Sequence, residues 1–207
     1  MKTFVFQGDS ITDAGRNRDN DTYRGNGYPT LVAADLGYQY PGEIAFLNRG
    51  VSGDRVVDVN ARIRRDLINL RPDYLSILIG INDVWHELSS RNGVNNTKFY
   101  KTYCDIIEET LVMCPGVKIF ILEPFVLKGP ATEGDWGVFD RETRMRAASA
   151  KKVAEKYGLT FVPLQKTFDA LCEKAPSVYW LHDGVHPTAM GHRVIANALE
   201  AAFEQIK

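Results

Sequence analysis

Five short apolar runs recur along the chain, and each is rich in residues that favour β-strands. They cover residues 3–7, 44–48, 74–79, 118–122 and 160–163. Two of the runs, YLSILIG and KIFILEP, are almost continuously apolar, which is typical of strands covered on both faces. The runs therefore predict five strands of a buried sheet.

Amphipathic segments lie between these runs and predict helices. They cover residues 29–36, 56–67, 98–113, 140–157 and 188–206. Gly37 and Gly158 follow two of the segments and are typical helix stops, and Thr188 is a suitable N-cap for the last one. Because strands and helices alternate throughout, the pattern predicts an α/β protein with a parallel sheet covered by helices on both faces.

Composition and charge narrow the class of protein. The chain has 207 residues, 44% of them hydrophobic, which suits a single domain over residues 1–207 with a proper core. It carries 25 Lys and Arg against 26 Asp and Glu, without a basic stripe, so no nucleic-acid partner is expected. Cys104, Cys114 and Cys172 are an odd number without a C-x-x-C pair, so we expect no disulfide framework and no thiolate metal site.

The apolar runs are also too short for membrane insertion or export. The N-terminal run, at residues 3–7, is shorter than the apolar region of a signal peptide, and none of the runs approaches the roughly 20 residues of a membrane span. We therefore expect a cytoplasmic protein without a membrane partner. The sequence leaves the oligomeric state open, and a homo-oligomer is compatible with it.

Polar, glycine-bearing segments follow the predicted strands. GDSITD follows the first run, NRGVSGD the second and GINDVW the third, and HDGVHP precedes the last predicted helix. In parallel sheets, ligands bind outside the carboxyl ends of the strands, where these segments would meet. The sequence therefore predicts a functional site at this edge of the sheet.

The residues of these segments fit nucleophilic ester chemistry. A serine hydroxyl needs a base within hydrogen-bond reach, and the base needs a carboxylate to orient it. Ser10 is the candidate nucleophile, His186 the base and Asp183 the orienting carboxylate. The backbone N–H groups of Ser10 and Gly53 and the side-chain amide of Asn82 are candidate donors to the oxyanion. The chain has no G-x-S-x-G motif, so the nucleophile elbow of α/β-hydrolases is excluded.

Together the blocks GDSIT, GVSGD, GIND and DGVHP resemble those of the SGNH (GDSL-type) hydrolases, in the same order and across essentially the whole chain. The resemblance implies a flavodoxin-like three-layer αβα sandwich with a five-stranded parallel sheet. It also implies a serine esterase that works through an acyl-enzyme, with catalytic residues Ser10, Gly53, Asn82, Asp183 and His186. Such chemistry needs no metal and no organic cofactor.

A finer resemblance concerns the substrate. GDSITDAGR, NRGVSG and IGINDVW are similar to segments of bacterial acetyl xylan esterase-like members. This resemblance implies a small-molecule or oligosaccharide ester as substrate, with removal of acetyl groups from acetylated xylan or xylo-oligosaccharides. A lysophospholipase, thioesterase or arylesterase of the same family is the alternative.

Two further classes of function stay open at this stage. A metal-dependent phosphoesterase would use Asp9, Asp13, Asp183 and His186, although their spacing matches no clear ligand pattern. A binding module on the same fold would not require an intact catalytic set. Asp9 is expected to bond to loop amides or to Asn82 rather than to take part in the chemistry.

Other residues near the blocks have expected roles in shaping the site. Trp85 and Trp180 are candidates for pocket walls or for core packing. His86 and His182 are expected to be non-catalytic, and His192 is expected on the last helix, away from the site. The loops at residues 15–27 and 125–139 are expected to form the rim of the substrate site. This rim would be polar with a few aromatic side chains, which suits a sugar better than a long acyl chain.

Overall fold

The structure, a computed structural model, describes residues 1–206, and within them five strands form one parallel sheet. The strands are β1 (Lys2–Gly8), β2 (Ile44–Asn48), β3 (Tyr74–Leu78), β4 (Lys118–Leu122) and β5 (Thr160–Val162). Their order in the sheet is β2-β1-β3-β4-β5, and all neighbouring pairs are parallel. The predicted five-stranded α/β fold is confirmed.

Helices connect the strands. They are α1 (Ser10–Asp13), α2 (Tyr28–Gln39), α3 (Val56–Ala61), α4 (Ile63–Asp66), α5 (Ile81–Ser90), α6 (Asn96–Met113), α7 (Trp136–Tyr157), α8 (Gln165–Leu171), α9 (Ser177–Trp180) and α10 (Ala189–Glu204). Thr188 caps α10 as expected, since its side chain accepts a hydrogen bond from the Gly191 N–H. Gly158 ends α7 in the left-handed conformation that favours glycine.

Each face of the sheet is covered by its own hydrophobic cluster. Alternate strand residues point to opposite faces, so Phe4 and Phe6 belong to one cluster and Val5 to the other. Helices α2 and α10 contribute to the first cluster, for example with Val32 and Leu199, while α3, α6 and much of α7 contribute to the second. This arrangement is the predicted three-layer sandwich, with the carboxyl ends of all strands at one edge.

Two helical regions differ from the expectation. Residues 56–67 form two short helices rather than one, because Arg62 leaves the helical conformation (φ −111°, ψ 10°) and turns its guanidinium towards the sheet edge. The predicted loop at residues 125–139 ends in the first turn of α7, which begins at Trp136. Phe139 in that turn packs into the core.

Candidate active site

Ser10 lies at the first position of a one-turn helix that begins directly after the central strand β1. Asp9 caps this helix, because its Oδ1 atom accepts a hydrogen bond from the Ile11 N–H at 3.0 Å. Asp9 is buried, and burial raises the pKa of its carboxyl to about 7. Asp9 thus bonds to an amide of helix α1 rather than to a loop amide, and its side chain makes no bond to Asn82 within residues 1–206.

His186 connects Ser10 to Asp183 by two hydrogen bonds. Ser10 Oγ lies 2.9 Å from His186 Nε2, and His186 Nδ1 lies 2.7 Å from Asp183 Oδ2. Asp183 Oδ1 also accepts the backbone N–H groups of His186 (2.7 Å) and Val185 (2.9 Å), which closes a tight turn. This turn fixes the carboxylate on the edge of the imidazole ring that faces away from Ser10.

The hydrogen bonds within this group change the proton affinities of its members. Burial alone would raise the pKa of Asp183, but the bonds from the His186 ring and from the His186 and Val185 N–H groups outweigh it and hold this pKa well below its usual range. The bond to Asp183 raises the pKa of His186, although partial burial opposes the change. Asp183 is therefore an anion at neutral pH and stabilises an imidazolium on His186.

Two aromatic side chains lie against the His186 ring. The Trp85 ring centroid lies 5.8 Å from that of His186, and the centroid of His182 lies at the same distance, with its plane inclined by 23°. Trp85 also packs edge-on against Phe139, so it belongs both to the site and to the core. The Trp180 ring packs against the first hydrophobic cluster, and its indole N–H donates to the Leu171 carbonyl.

The three candidate donors to an oxyanion are the N–H groups of Ser10 and Gly53 and the side-chain amide of Asn82. The backbone N–H groups of Ser10 and Gly53 donate to no acceptor in the part of the chain that the structure describes. Asn82 Nδ2 donates to the Asp54 carbonyl at 3.1 Å, which orients the amide and leaves its second hydrogen unused. Gly53 has φ +86°, a conformation that favours glycine, and an added Cβ would meet no protein atom within 4 Å.

Arg62 holds the loop that carries Gly53 against the end of β1. Its Nε atom donates to Asp54 Oδ2 (2.6 Å), and its Nη1 atom donates to the Arg49 carbonyl (2.8 Å). Its Nη2 atom donates to Gln7 Oε1 (2.7 Å) and to the Gly8 carbonyl (3.2 Å). One largely buried guanidinium therefore joins the segment before Ser10 to the segment around Gly53.

A cavity of about 530 Å³ opens beside Ser10. It is lined by Ser10, Ile11, Ala14, Asn26, His182, His186, Pro187, Ala189 and His192. The expectation that His192 lies away from the site is therefore wrong: α10 packs against α2, and this packing brings the His192 ring to the cavity. A larger cavity of about 740 Å³, between α5, α7 and residues 93–97, contains none of the five predicted site residues.

The two expected rim loops have different positions. Asn26, from the loop at residues 15–27, lines the cavity beside Ser10. The first part of the loop at residues 125–139 lies behind the Asp183 turn instead, where the Leu127 N–H donates to the Gly184 carbonyl and the Ala131 N–H to the Asp183 carbonyl. This loop supports the turn that holds Asp183.

One group of side chains has a spacing compatible with a metal ion. Ligand atoms of His182, Asp183 and His186 lie within 4.8 Å of one another, and no other such group occurs among residues 1–206. Asp9 and Asp13 are not part of it, so the four residues of the phosphoesterase hypothesis are not brought together. Asp13 instead accepts bonds from the Ser52 backbone and hydroxyl, and it pairs with Arg18.

A parallel α/β sheet with a hydrogen-bonded serine, histidine and aspartate at its carboxyl edge is an arrangement typical of serine hydrolases. A family model, that of the GDSL-like lipase/acylhydrolase family, matches residues 6–194. The chain belongs to this family, as the sequence blocks predict, and it is a carboxylic ester hydrolase with the SGNH hydrolase fold.

Individual relatives agree with this membership. An acetylxylan esterase of Geobacillus stearothermophilus is 32% identical over 214 residues, which cover 98% of this chain and 95% of the relative. The crystal structure of that esterase matches with a TM-score of 0.87 and 31% identity, over 97% of this chain and 93% of the other. A protein of Parabacteroides merdae described as a GDSL-like lipase matches with a TM-score of 0.93 and 34% identity, over 98% of this chain and 95% of the other. Among the described residues, none of the helices is long and apolar enough to span a membrane.

Proposed function

We propose that this protein removes acetyl groups from carbohydrate, such as acetylated xylan or xylo-oligosaccharides, by a serine acyl-enzyme mechanism. The observation that carries the catalytic part is the hydrogen-bonded set of Ser10, His186 and Asp183. The similarity to an acetylxylan esterase over nearly the full length of both chains supports the acetyl and carbohydrate part. Structures of that esterase include variants described as catalytic mutants, in which a serine or an aspartate is replaced by alanine.

In the first half of the reaction, Ser10 Oγ attacks the ester carbonyl carbon while His186 Nε2 takes the hydroxyl proton. The carbonyl oxygen becomes an oxyanion and accepts hydrogen bonds from the N–H groups of Ser10 and Gly53 and from the Asn82 amide. Asp183 stabilises the imidazolium that forms on His186. The carbon–oxygen bond to the alcohol then breaks, and the alcohol leaves with the proton from His186, so that the acyl group stays on Ser10.

In the second half, water replaces the alcohol. His186 takes a proton from the water while its oxygen attacks the acyl carbon, and the same donors hold the second oxyanion. The bond to Ser10 Oγ breaks, Ser10 recovers its proton from His186, and the carboxylic acid is released. The original Ser10 proton leaves with the alcohol and a proton from water replaces it, so the protein ends the cycle in its starting state.

The first prediction tests the nucleophile and the acyl group together. Hydrolysis of p-nitrophenyl acetate, butyrate and octanoate is measured beside release of acetate from acetylated xylo-oligosaccharides. Because the acyl group must transfer to Ser10, Ser10→Ala should lower kcat on every substrate by about 10³-fold or more, whereas Ser90→Ala, on the surface of α5, should not. The wild type should prefer acetate to longer chains and should release acetate from the oligosaccharide.

The results separate the alternatives. Near-wild-type turnover by Ser10→Ala would remove Ser10 from the mechanism. A preference for octanoate with Ser10 still required would move the substrate to lipids, as for a lysophospholipase. Turnover of p-nitrophenyl acetate without release of acetate from the oligosaccharide would support an arylesterase.

A further inference from the structure

His192 is a buried imidazole whose contacts fix its protonation state. The residue is only 7% exposed, and its ring lies against that of Tyr28 with centroids 6.5 Å apart. Its Nδ1 atom accepts a hydrogen bond from the Tyr28 backbone N–H at 3.2 Å. Gly27 leaves room for the ring, since an added Cβ there would lie 3.0 Å from His192 Cε1. The ring is therefore held in one orientation by the start of α2.

This contact leaves a hydrogen-bond donor on the other nitrogen. A nitrogen that accepts a hydrogen bond carries no proton, and a neutral imidazole then carries its proton on Nε2. Burial lowers the pKa of His192 to about 4, so the ring is neutral at neutral pH. His192 thus presents an Nε2–H group as a fixed donor.

The Nε2 atom has no acceptor within residues 1–206, yet it is not sealed inside the core. The ring lines the cavity of about 530 Å³ together with Ser10 and His186. A donor that is open to the cavity and bonded to no protein atom is free to bond to a ligand that enters the cavity. The cavity is the space from which an acceptor can reach it.

The lining of this cavity indicates which part of an ester it would receive. Gly53 and Asn82, the candidate oxyanion donors, are not among its lining residues, whereas His186 is. In the proposed mechanism, His186 Nε2 gives its proton to the leaving alcohol, so the alcohol must lie on the His186 side of the ester carbon. The cavity beside His192 therefore corresponds to the alcohol part of the substrate.

We propose that the His192 Nε2–H group donates a hydrogen bond to an oxygen of the alcohol part, close to the ester oxygen. This inference rests on the proposed function and extends it to the alcohol: the preferred substrates are esters of polyhydroxy compounds such as sugars, in which a second oxygen lies next to the acylated one. Simple alkyl esters leave the donor without an acceptor. Sites that bind a substrate hydroxyl through such a donor reject analogues that lack the hydroxyl.

The second prediction compares cyclohexyl acetate with trans-2-hydroxycyclohexyl acetate, which differ by one hydroxyl beside the ester. The wild type should have the higher kcat/KM for the hydroxylated ester. His192→Asn should lower the ratio of the two values by about tenfold, the size expected for one hydrogen bond. The Asn Oδ1 atom can still accept the Tyr28 N–H, but its amide is too short to reach the Nε2 position.

Two further variants complete the experiment. His192→Gln, whose amide reaches the Nε2 position, should recover part of the preference, and His86→Asn on α5 should leave it unchanged. A wild type without any preference, or an equal fall of both kcat/KM values in His192→Asn, would overturn the assignment of His192 while leaving the esterase intact. If the wild type hydrolyses neither ester and no other acetyl ester, the proposed function fails, and the inference fails with it.

Discussion

The Asp183 Oδ2 atom lies 2.7 Å from His186 Nδ1, and each residue changes the proton affinity of the other. The bond holds Asp183 as an anion and favours the protonated form of His186. A raised pKa makes His186 a stronger base, but it also means that more of the ring is already protonated in mildly acidic solution. In the proposed mechanism, this pair therefore sets both the strength of the base and the acidic limit of activity.

The third prediction follows from the sign of this shift. His186 must be neutral to take the Ser10 proton, so kcat/KM should rise with pH through an apparent pKa above the ordinary value of 6.5. Asp183→Asn removes the charge that raises this pKa, so the acidic limb should move to lower pH, while the plateau should fall by about 10⁴-fold. The measurement is kcat/KM on p-nitrophenyl acetate between about pH 5 and pH 9.

Asp105→Asn, at an exposed position of α6, is the matched control and should reproduce the wild-type profile. An acidic limb that does not move in Asp183→Asn would mean that another group controls the ionisation. A plateau near the wild-type value would remove Asp183 from the role of orienting carboxylate.

At the scale of elements, the break between α3 and α4 connects helix geometry with the site. Arg62 leaves the helical conformation, and its guanidinium bonds to the Gly8 and Arg49 carbonyls and to Asp54. The carbonyl of Asp54 in turn accepts the Asn82 amide. Arg62 is thus a positioning residue, because it fixes the relative positions of the two segments that carry Ser10 and Gly53.

The fourth prediction concerns the relative positions of these two segments. Arg62→Lys keeps the charge but loses the planar fork that serves several acceptors at once. We expect kcat on p-nitrophenyl acetate to fall by roughly 10- to 100-fold with little change in KM, since small misplacements of catalytic groups have effects of that size. Arg65→Lys is the control, because Arg65 is exposed and pairs with Asp66 alone in the described structure.

Chemical rescue distinguishes positioning from loss of folding. Guanidinium at millimolar concentration should restore part of the kcat of Arg62→Ala, because the ion can occupy the vacated space between Asp54 and Gln7. A proportional change of kcat and KM in Arg62→Lys, or an absence of rescue in a folded Arg62→Ala, would contradict the positioning role.

The elements differ in how well local sequence predicts them. The five strands could be predicted because buried parallel strands are continuous apolar runs, and the order of the polar blocks indicated the edge at which they meet. Helix α5 was not predicted although Ile81, Val84, Trp85 and Leu88 have helical spacing, because the polar residues of GINDVW at its beginning are equally typical of a loop after a strand. Helices α1, α8 and α9 are too short for their periodicity to be recognised.

Other features depend on contacts that the local sequence does not contain. No local pattern separates Arg62 from Arg64 and Arg65, and its partners at residues 7, 8 and 49 lie far from it in the chain. The position of His192 depends on the packing of α10 against α2. Gly27 leaves room for the His192 ring, but the sequence alone does not show that these two residues are neighbours.

At the scale of the whole molecule, Asp83 joins three elements in the interior. It lies on α5, both of its carboxylate oxygens lie 3.2 Å from the Val56 N–H at the start of α3, and the charge of Arg146 on α7 acts on it. Burial raises the pKa of Asp83 to about 8 in spite of these partners. Its folded-state pKa therefore lies above that of an unfolded aspartate.

The fifth prediction concerns stability against pH. As pH rises from about 4 to 8, Asp83 ionises first in the unfolded chain, so its contribution to folding is lost across this window, by about 1.4 kcal/mol per pH unit at most. Asp83→Asn has no proton to lose, and its free energy of unfolding should fall less between pH 5 and pH 8.5 than that of the wild type. Urea denaturation at several pH values measures this difference.

Glu133→Gln, at an exposed position, is the control and should follow the wild type. Because Asp9 is also buried with a raised pKa, the free energy of unfolding of Asp83→Asn should still fall somewhat as pH rises. Parallel curves for wild type and Asp83→Asn would mean that Asp83 has the same proton affinity in the folded and unfolded chains.

The hydrogen bond between Ser10 and His186 joins residues that lie 176 positions apart in the chain. Helices form from neighbouring residues, whereas a contact across such a distance requires most of the intervening chain to be in place. A growing polypeptide on the ribosome thus carries Ser10 long before it carries His186. In the proposed mechanism, ester hydrolysis therefore begins only when the segment with His186 has emerged and docked, so turnover would report completed assembly of the chain.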